Sequence, residues 1–197
     1  PAPRVTRRTR RSSSNSTRCA RRPISIRPRS VSPRSAAGLD EAAATHVGRA
    51  AEKPRRQGSV ARAVHGHVRT NPFKADHPQY QRGITVPLAE PADDTRLLVR
   101  AALMGLRRLF KPGYAYQKAG VMLLDLSDAQ HTQAALFETD RGNPALMRVM
   151  DRINAHWGRG TMRLAAEGVP AANSWRMRRG MMSPCYTTRW AELPVVR

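Results

Sequence analysis

The sequence has few acidic residues, few cysteines and few aromatic side chains. Only 14 Asp and Glu stand against 35 Lys and Arg, and the net charge of +21 indicates a polyanionic partner, with nucleic acid ahead of acidic membrane. Aromatic residues make up 5% of the chain, which argues against a surface that stacks single-stranded bases. Cys19 and Cys185 lie far apart without a Cys-x-x-Cys or Cys-His grouping, so neither a disulfide scaffold nor a structural zinc site is expected. A reducing cytoplasm fits this cysteine usage.

Long apolar runs are also missing. No run approaches the ~20 residues that span a bilayer, and the Arg-rich start lacks the apolar segment of a secretion signal. The first 35 residues hold eleven Arg and no acid, which predicts a disordered basic arm over residues 1–37. A mitochondrial transit peptide has a similar composition, but the absence of an initiator methionine favours an incomplete chain.

Hydrophobic periodicity predicts three strands after the arm. Residues 60–70 alternate between valine on one side and mainly histidine and arginine on the other, as in a strand with one covered face. Residues 84–88 alternate in the same way, and Pro87 favours an edge position because proline cannot donate to a ladder. Residues 119–126 are almost continuously apolar, as expected of an internal strand.

One helical segment precedes these strands, and a second lies between residues 84–88 and residues 119–126. Asp40 is placed to cap the first helix, and Pro54 should end or kink it because proline lacks the N–H donor. The second helix opens at Asp94 and repeats apolar residues at i, i+3, i+4 and i+7 up to Leu109. If residues 24–31 form a first strand, the order is β-α-β-β-α-β. This order predicts an α+β fold, a four-stranded sheet with both helices on one face and the other face free for a ligand.

The remaining residues predict a connector and a small C-terminal unit. Residues 127–143 are polar, and residues 161–166 alternate like a short strand. Residues 144–157 have a helical pattern whose apolar face is Leu146, Val149, Met150 and Ile153. We therefore divide the chain into a basic arm (1–37), a sheet domain (38–126), a connector (127–143) and a small α+β C-terminal domain (144–197).

Several short motifs resemble one protein family. They are Thr70-Asn71-Pro72-Phe73, Thr85-Val86-Pro87-Leu88, Lys118-Ala119-Gly120-Val121-Met122-Leu123, Met150-Asp151-Arg152-Ile153-Asn154 and Ser183-Pro184-Cys185-Tyr186-Thr187-Thr188-Arg189-Trp190. In their order and spacing, residues 38–197 resemble the little-finger domain and the small C-terminal domain of Y-family translesion DNA polymerases of the polymerase V (UmuC) type. Pro54 departs from the usual Leu of that family, and Cys185 replaces a usual basic residue.

The resemblance implies that the uncovered face of the sheet and the linker lie against duplex DNA near a primer end. The predicted DNA contacts are His65, His67, Arg69, Arg62, Lys74, Arg82 and Lys118. Such contacts act largely through counterion release, so binding should be non-specific and salt-sensitive. From the pattern alone, a solvated strand face is the alternative. A metal shared by His65 and His67 would lack a third ligand at sensible spacing.

A Gln-x-x-Leu-Phe motif lies in the polar connector, at Gln133, Leu136 and Phe137. Clamp-binding peptides of bacteria have this form, and the resemblance places such a segment after the little finger. A mobile segment can seat the apolar pair in a pocket while the glutamine amide hydrogen-bonds at its rim. The alternative is a loop that folds its two apolar residues onto its own domain.

No catalytic site, metal or cofactor is expected. Two-metal phosphoryl transfer needs clustered carboxylates, whereas Asp93 and Asp94 suit a helix start and Asp125 and Asp128 suit solvated turns. The resemblance implies that the catalytic carboxylates belong to a palm domain outside this sequence. A phosphate-binding glycine-rich loop is also missing.

The sequence therefore predicts a non-catalytic DNA-binding and clamp-binding portion of a translesion polymerase, acting in DNA-damage tolerance during the SOS response. Its expected partners are damaged or primed duplex DNA, the bacterial sliding clamp and the accessory subunit of a polymerase V complex, in the cytoplasm at the nucleoid. One rival is the remnant of a decayed polymerase gene, favoured by the N-terminal residues and Pro54. Another is a stand-alone basic protein whose arm packages nucleic acid or binds RNA.

Overall fold

A computed structural model describes residues 24–26, 36–74, 76–132 and 142–168 of the chain. The described elements are β1 (Ile24–Ile26), α1 (Ala36–Arg56), β2 (Ser59–Thr70), β3 (Gln81–Ala92), α2 (Thr95–Leu109), β4 (Tyr116–Asp128) and α3 (Pro144–His156), with 3₁₀ turns at Ala129–His131 and Ala165–Glu167. Within these residues no helix combines the length and apolarity that crossing a bilayer requires.

Three long antiparallel strands form the sheet in the order β4, β2, β3, and the predicted α+β class is confirmed. The short strand β1 lies antiparallel to β4, where it pairs with residues 121–123. A complete fourth strand over residues 24–31 stays a prediction. Strand β3 pairs only with β2 among the described strands, so Pro87 occupies the predicted edge position.

Both α1 and α2 pack on one face of the sheet. Val64 and Val68 of β2 and Leu123 of β4 point into this core, and Leu98 and Leu106 of α2 cover them, all at most 1% exposed. Helix α1 contributes mostly alanine, whose small side chain lets the helix backbone approach the sheet and α2 closely. Periodicity in the two strands and in α2 predicted this face correctly.

Helix α1 starts before its predicted cap, Asp40, and ends after its predicted stop, Pro54. It begins at Ala36, so Asp40 lies inside it and accepts a hydrogen bond from Arg107 Nε at 2.9 Å instead of capping the helix. Pro54 lies in the last turn, and the helix continues to Arg56. A proline this close to the end removes one hydrogen bond, the one to the Ala50 carbonyl, and few bonds follow it. The helix therefore ends two residues after Pro54 instead of at the proline itself, and a kink at Pro54 stays a prediction.

Helix α3 ends one residue before its predicted end, and only part of its predicted apolar face is buried. Met147 and Met150 are buried, whereas Leu146 and Val149 are 38% and 48% exposed. The helix carries apolar residues around more than half its circumference, and only its contacts decide which of them are covered. The predicted strand at 161–166 is wrong: these residues form bends and the start of the Ala165–Glu167 turn. That segment packs on α1, where the Thr45 hydroxyl donates to the Glu167 carbonyl at 3.3 Å.

A buried guanidinium attaches α3 to the sheet domain. Arg55, whose side chain is 6% exposed, donates to both carboxylate oxygens of Asp151, at 2.7 and 2.8 Å. Its remaining nitrogen donates to the Asp93 carbonyl at 2.9 Å and to the Thr95 hydroxyl at 2.7 Å. One side chain of α1 therefore joins the start of α2 to the middle of α3, and four charge-assisted bonds fix its orientation.

Candidate nucleic-acid interface

The face of the sheet opposite α1 and α2 is here named the open face. The register places these residues on it: Ala63, His65, His67 and Arg69 of β2, Gln81, Gly83, Thr85 and Pro87 of β3, and Lys118, Gly120, Met122 and Leu124 of β4. Directly opposed residues of neighbouring strands share a face, so these twelve positions follow from the pairing. None of them carries a carboxylate.

Two imidazole rings lie along the middle of the open face. The rings of His65 and His67 have centroids 6.2 Å apart and planes inclined by 27°. The Nδ1 atom of His65 lies 2.9 Å from the Thr85 hydroxyl, a hydrogen bond whose donor depends on the tautomer. Both rings stay partly exposed, and together they form a flat polar strip.

Glycine makes this flat arrangement possible. A Cβ atom on Gly120 would collide with the ring of His67, and one on Gly83 would come to 3.0 Å from the ring of His65. Both histidines therefore lie over a neighbouring strand instead of standing upright. Sequence reasoning chose the histidines but missed the two glycines, although a glycine inside a strand is a known signal of close approach.

Positive charge gathers at one end of the open face. Arg69 and Lys118 are directly paired between β2 and β4. The loop after β2 begins next to this pair and carries the exposed Lys74. In that loop the Gln79 amide donates to the carbonyls of Asn71 and Lys74, at 3.0 and 2.8 Å. The structure thus brings His65, His67, Arg69 and Lys118 together, with Lys74 beyond the same end.

Two predicted DNA contacts lie elsewhere. Arg82 is paired with the buried Val68, and it therefore belongs to the helix-covered side at the edge of the sheet. Arg62 is near the other end of β2, where its Nε lies 3.5 Å from a carboxylate oxygen of the exposed Asp125. Asp125 has a φ of 51° within β4. The open face includes neither arginine, and a DNA contact by either one stays a prediction.

The ends of the connector are attached to the folded body. At its start, the Ala129 N–H donates to the Gly58 carbonyl at 2.9 Å. At its end, the Asn143 N–H donates to the Asp94 carboxylate at 2.8 Å. The predicted clamp residues Gln133, Leu136 and Phe137 lie between these attachments, outside the described residues. The Ser-Pro-x-Tyr-Thr-Thr motif at 183–188 also lies outside them.

The acidic residues that were considered for chemistry have structural roles. Asp94 caps α2, as predicted, and accepts bonds from the Arg96 N–H at 2.8 Å and from the Arg96 guanidinium at 2.7 Å. Burial alone would raise the pKa of Asp94, but its hydrogen bonds with Arg96 and Asn143 hold the pKa below the usual value. Burial raises the pKa of the adjacent Asp93, against the opposing charge of Arg55. Across the described ranges, no three His, Cys, Asp or Glu side chains are grouped to hold a metal.

Comparison with known proteins identifies the class. Residues 26–136 match the impB/mucB/samB family C-terminal domain, and residues 144–196 match a domain of unknown function, DUF4113. Because the first match covers more than half of the chain, the chain belongs to the impB/mucB/samB family and corresponds to the C-terminal part of a UmuC-type Y-family polymerase. The family resemblance inferred from the motifs is confirmed.

Individual relatives agree with this assignment. The chain is 37% identical to Protein UmuC of Salmonella typhimurium over 158 residues, covering 79% of this chain and 37% of that relative. It is 35% identical to Protein ImpB of Salmonella typhimurium over 162 residues, covering 81% and 38%, and 36% identical to Protein MucB of Escherichia coli over 160 residues, covering 80% and 37%. The chain therefore spans less than two fifths of the length of these relatives.

Proposed function

We propose that the open face holds the phosphate backbone of duplex DNA, without sequence preference. The observation that carries the proposal is a carboxylate-free sheet face on which Arg69 and Lys118 are paired beside the flat strip of His65 and His67. A phosphate strand can approach such a surface closely because the glycine positions leave the rings lying on the sheet. Lys74 extends the cationic end. Binding free energy then comes mainly from counterion release.

The experiment compares salt dependence on the two sides of the sheet. Primed DNA is titrated with the full chain at several salt concentrations, followed by fluorescence anisotropy. The double variant Arg69→Gln with Lys118→Gln should lower the slope of log K against log salt by about 1.8, since each phosphate contact contributes about 0.9. Arg100→Gln with Arg108→Gln removes the same charge from the exposed side of α2 and should leave the slope unchanged. Equal losses in both variants would show that overall charge, and not the open face, binds DNA.

We further propose that residues 133–137 bind the sliding clamp. Leu136 and Phe137 are an apolar pair in a polar connector, and both ends of that connector are attached to the body. A tethered segment presents such a pair at a defined place on the surface while leaving it free to enter a pocket. Gln133 supplies the rim hydrogen bond.

Clamp binding is tested with two double variants of neighbouring residues. Replacing Leu136 and Phe137 by Ala should abolish clamp binding at micromolar concentration, because losing one buried anchor costs ~2 kcal/mol or more, a factor of roughly 30. Replacing Glu138 and Thr139 by Ala is the matched control and should change little. The melting temperatures of both variants distinguish clamp binding from packing within the chain. If the Leu136 and Phe137 variant melts at a lower temperature than the control, the pair packs on its own domain.

The combined role is accessory: the chain holds DNA and recruits the clamp during lesion bypass, and does not itself synthesise DNA. This proposal includes domain boundaries after residues 37, 126 and 143. It also includes a cytoplasmic location at the nucleoid and an interaction with a polymerase V accessory subunit. Purified protein should not extend a primed template with nucleotides and Mg²⁺, since the proposal assigns no carboxylate pair to hold two metals. Template-directed extension by a preparation free of other polymerases would contradict it.

The nucleic-acid packaging alternative rests on the eleven arginines of the first 35 residues. It predicts that the salt slope depends on the arm alone. Replacing the arm arginines by glutamine in the full chain distinguishes the two functions. Under our proposal DNA binding weakens but stays detectable; complete loss would favour packaging by the arm.

A further inference from the structure

The loop between β2 and β3 presents an exposed aromatic ring at the cationic end of the open face. Phe73 is 93% exposed, the largest fraction among the large apolar side chains of the described residues. It follows Arg69 by four residues, and Arg69 is paired with Lys118. Single exposed apolar side chains are common on protein surfaces, so exposure alone does not indicate a ligand. The hydrogen bonds of the loop and the charges near the ring distinguish Phe73 from such side chains.

Side-chain hydrogen bonds hold the loop residues on both sides of Phe73. The Gln79 amide nitrogen donates to the carbonyls of Asn71 and Lys74, at 3.0 and 2.8 Å. The Gln79 side-chain oxygen accepts from the Thr70 hydroxyl at 2.8 Å. The Phe73 N–H donates to the Asn71 side-chain oxygen at 3.1 Å. A ligand that meets the ring therefore does not have to order these residues first, which lowers the entropic cost of binding.

Positive charge lies beside the ring. Lys74 is the next residue and is exposed, and the pair of Arg69 and Lys118 lies at the end of the strands from which the loop leaves. Asp76 is the only acid between residues 70 and 80. A partner that meets this region therefore needs negative charge beside an apolar surface. Nucleic acid has both, because its bases present flat faces that stack on aromatic rings whatever the sequence.

We propose that Phe73 stacks on a nucleobase at the junction between duplex and single strand, while the open face holds the adjacent phosphates. This inference rests on the proposed DNA contact of the open face. Bases inside a duplex have both faces covered, and a ring enters between them only by unstacking a base step, which is costly. At a junction one base face is already uncovered. A single ring is enough for that face, which agrees with the low aromatic content of the chain.

The spacing between the ring and the cations fits one DNA strand. Four residues separate Phe73 from Arg69, which limits the distance between their Cα atoms to about 14 Å. Successive phosphates of one strand advance about 3.4 Å along the helix axis. Ring and cations can therefore contact the same strand a few nucleotides apart.

The test compares two DNA molecules by competition. A fluorescent primed template bound to the full chain is displaced by unlabelled primed template or by relaxed closed circular duplex, which has no junction. Phe73→Leu removes the ring but keeps an apolar side chain. It should weaken binding to primed template about tenfold, and leave the affinity for closed duplex and the salt slope unchanged.

Two further variants serve as controls. Phe73→Trp keeps an aromatic face and should retain the wild-type preference for primed template. Trp157→Leu is the matched control, because it removes a 67% exposed ring that follows α3, and it should change neither affinity.

Three outcomes would overturn the proposal. Wild-type affinity of Phe73→Leu for both DNA molecules would mean that the ring does not contact DNA. An equal loss on both molecules would mean that the ring contacts duplex away from junctions. A lower salt slope in Phe73→Leu would mean that the substitution displaces the phosphate contacts and that the ring has only a structural role. Failure of the open face is seen separately, in Arg69→Gln with Lys118→Gln on closed duplex, where Phe73 has no part.

Discussion

The two faces of the same sheet are built on opposite rules. On the covered face, Val64, Val68 and Leu123 are nearly fully buried against apolar helix residues. Because this core is close-packed, a change in the volume of one side chain disturbs its neighbours. On the open face, His65 and His67 lie partly exposed over glycines, an arrangement that contributes little buried apolar area. The alternation of the strands requires only that polar side chains lie on the uncovered side, whatever their type. Stability alone therefore does not require this combination of ring, glycine and cation, and the proposed DNA contact would account for it.

The largest effect is expected on the covered face. Leu106→Ala removes a fully buried side chain that lies 3.3 Å from the Cβ position of Gly66, and it should lower the free energy of unfolding by about 2–5 kcal/mol. Chemical denaturation measures this loss. DNA affinity of the folded fraction should stay unchanged. A loss below ~1 kcal/mol would mean that the core relaxes around the cavity, and the contrast between the faces would weaken.

Next in size is the attachment of α3 on the same side of the molecule. Arg55→Met fills a similar volume but leaves Asp151 and the Asp93 carbonyl without their donor, so we expect a loss of roughly 2–3 kcal/mol. Asp151→Asn in the Arg55→Met background should restore part of this stability, because it removes the unpaired charge. If denaturation shows no such recovery, the guanidinium acts mainly through packing.

A smaller, pH-dependent effect is expected for the Asp94 cap. Its pKa is lowered in the folded chain, so its ionised form stabilises folding above the unfolded pKa of about 3.9, and this contribution is lost as pH falls through the folded pKa. Asp94→Asn should cost about 1–2 kcal/mol at pH 7. The difference between wild type and variant should shrink between about pH 5 and the acid limit of folding. A difference that is constant with pH would show that the carboxylate charge is unimportant.

The smallest stability effect, and the sharpest contrast, is expected at the glycine under His67. Gly120→Ala displaces the end of a movable ring, so the free energy of unfolding should change by less than about 1 kcal/mol. DNA affinity should nevertheless fall about fivefold, since a misplaced contact costs on the order of 1 kcal/mol. Gly113→Ala is a poor control because its φ is 88°; Ala115→Gly in the neighbouring loop is preferable. Unchanged DNA affinity in Gly120→Ala would separate the histidine strip from DNA binding.

Much of the fold could be predicted from the sequence because the relevant signals are local. Alternation over 60–70 located β2, the apolar run over 119–126 located β4, and the Asp94 cap with the stripe ending at Leu109 located α2. Family membership was also readable, since the motifs between Thr70 and Trp190 keep the order and spacing of the family. The open-face residues His65, His67 and Arg69 were chosen correctly as outward-facing for the same reason of period two.

Other features depended on contacts between residues far apart in the chain. The bond between Arg55 and Asp151 joins α1 to α3 across 96 residues of sequence. Gly83 and Gly120 come to lie under His65 and His67 because three separate strands pair. The same pairing places Arg82 on the covered side. Sequence by itself thus determined the order of the elements and the two sides of each strand. Only the tertiary structure decided which residues meet on each side and which of them are buried, because burial and register depend on the element that each segment packs against.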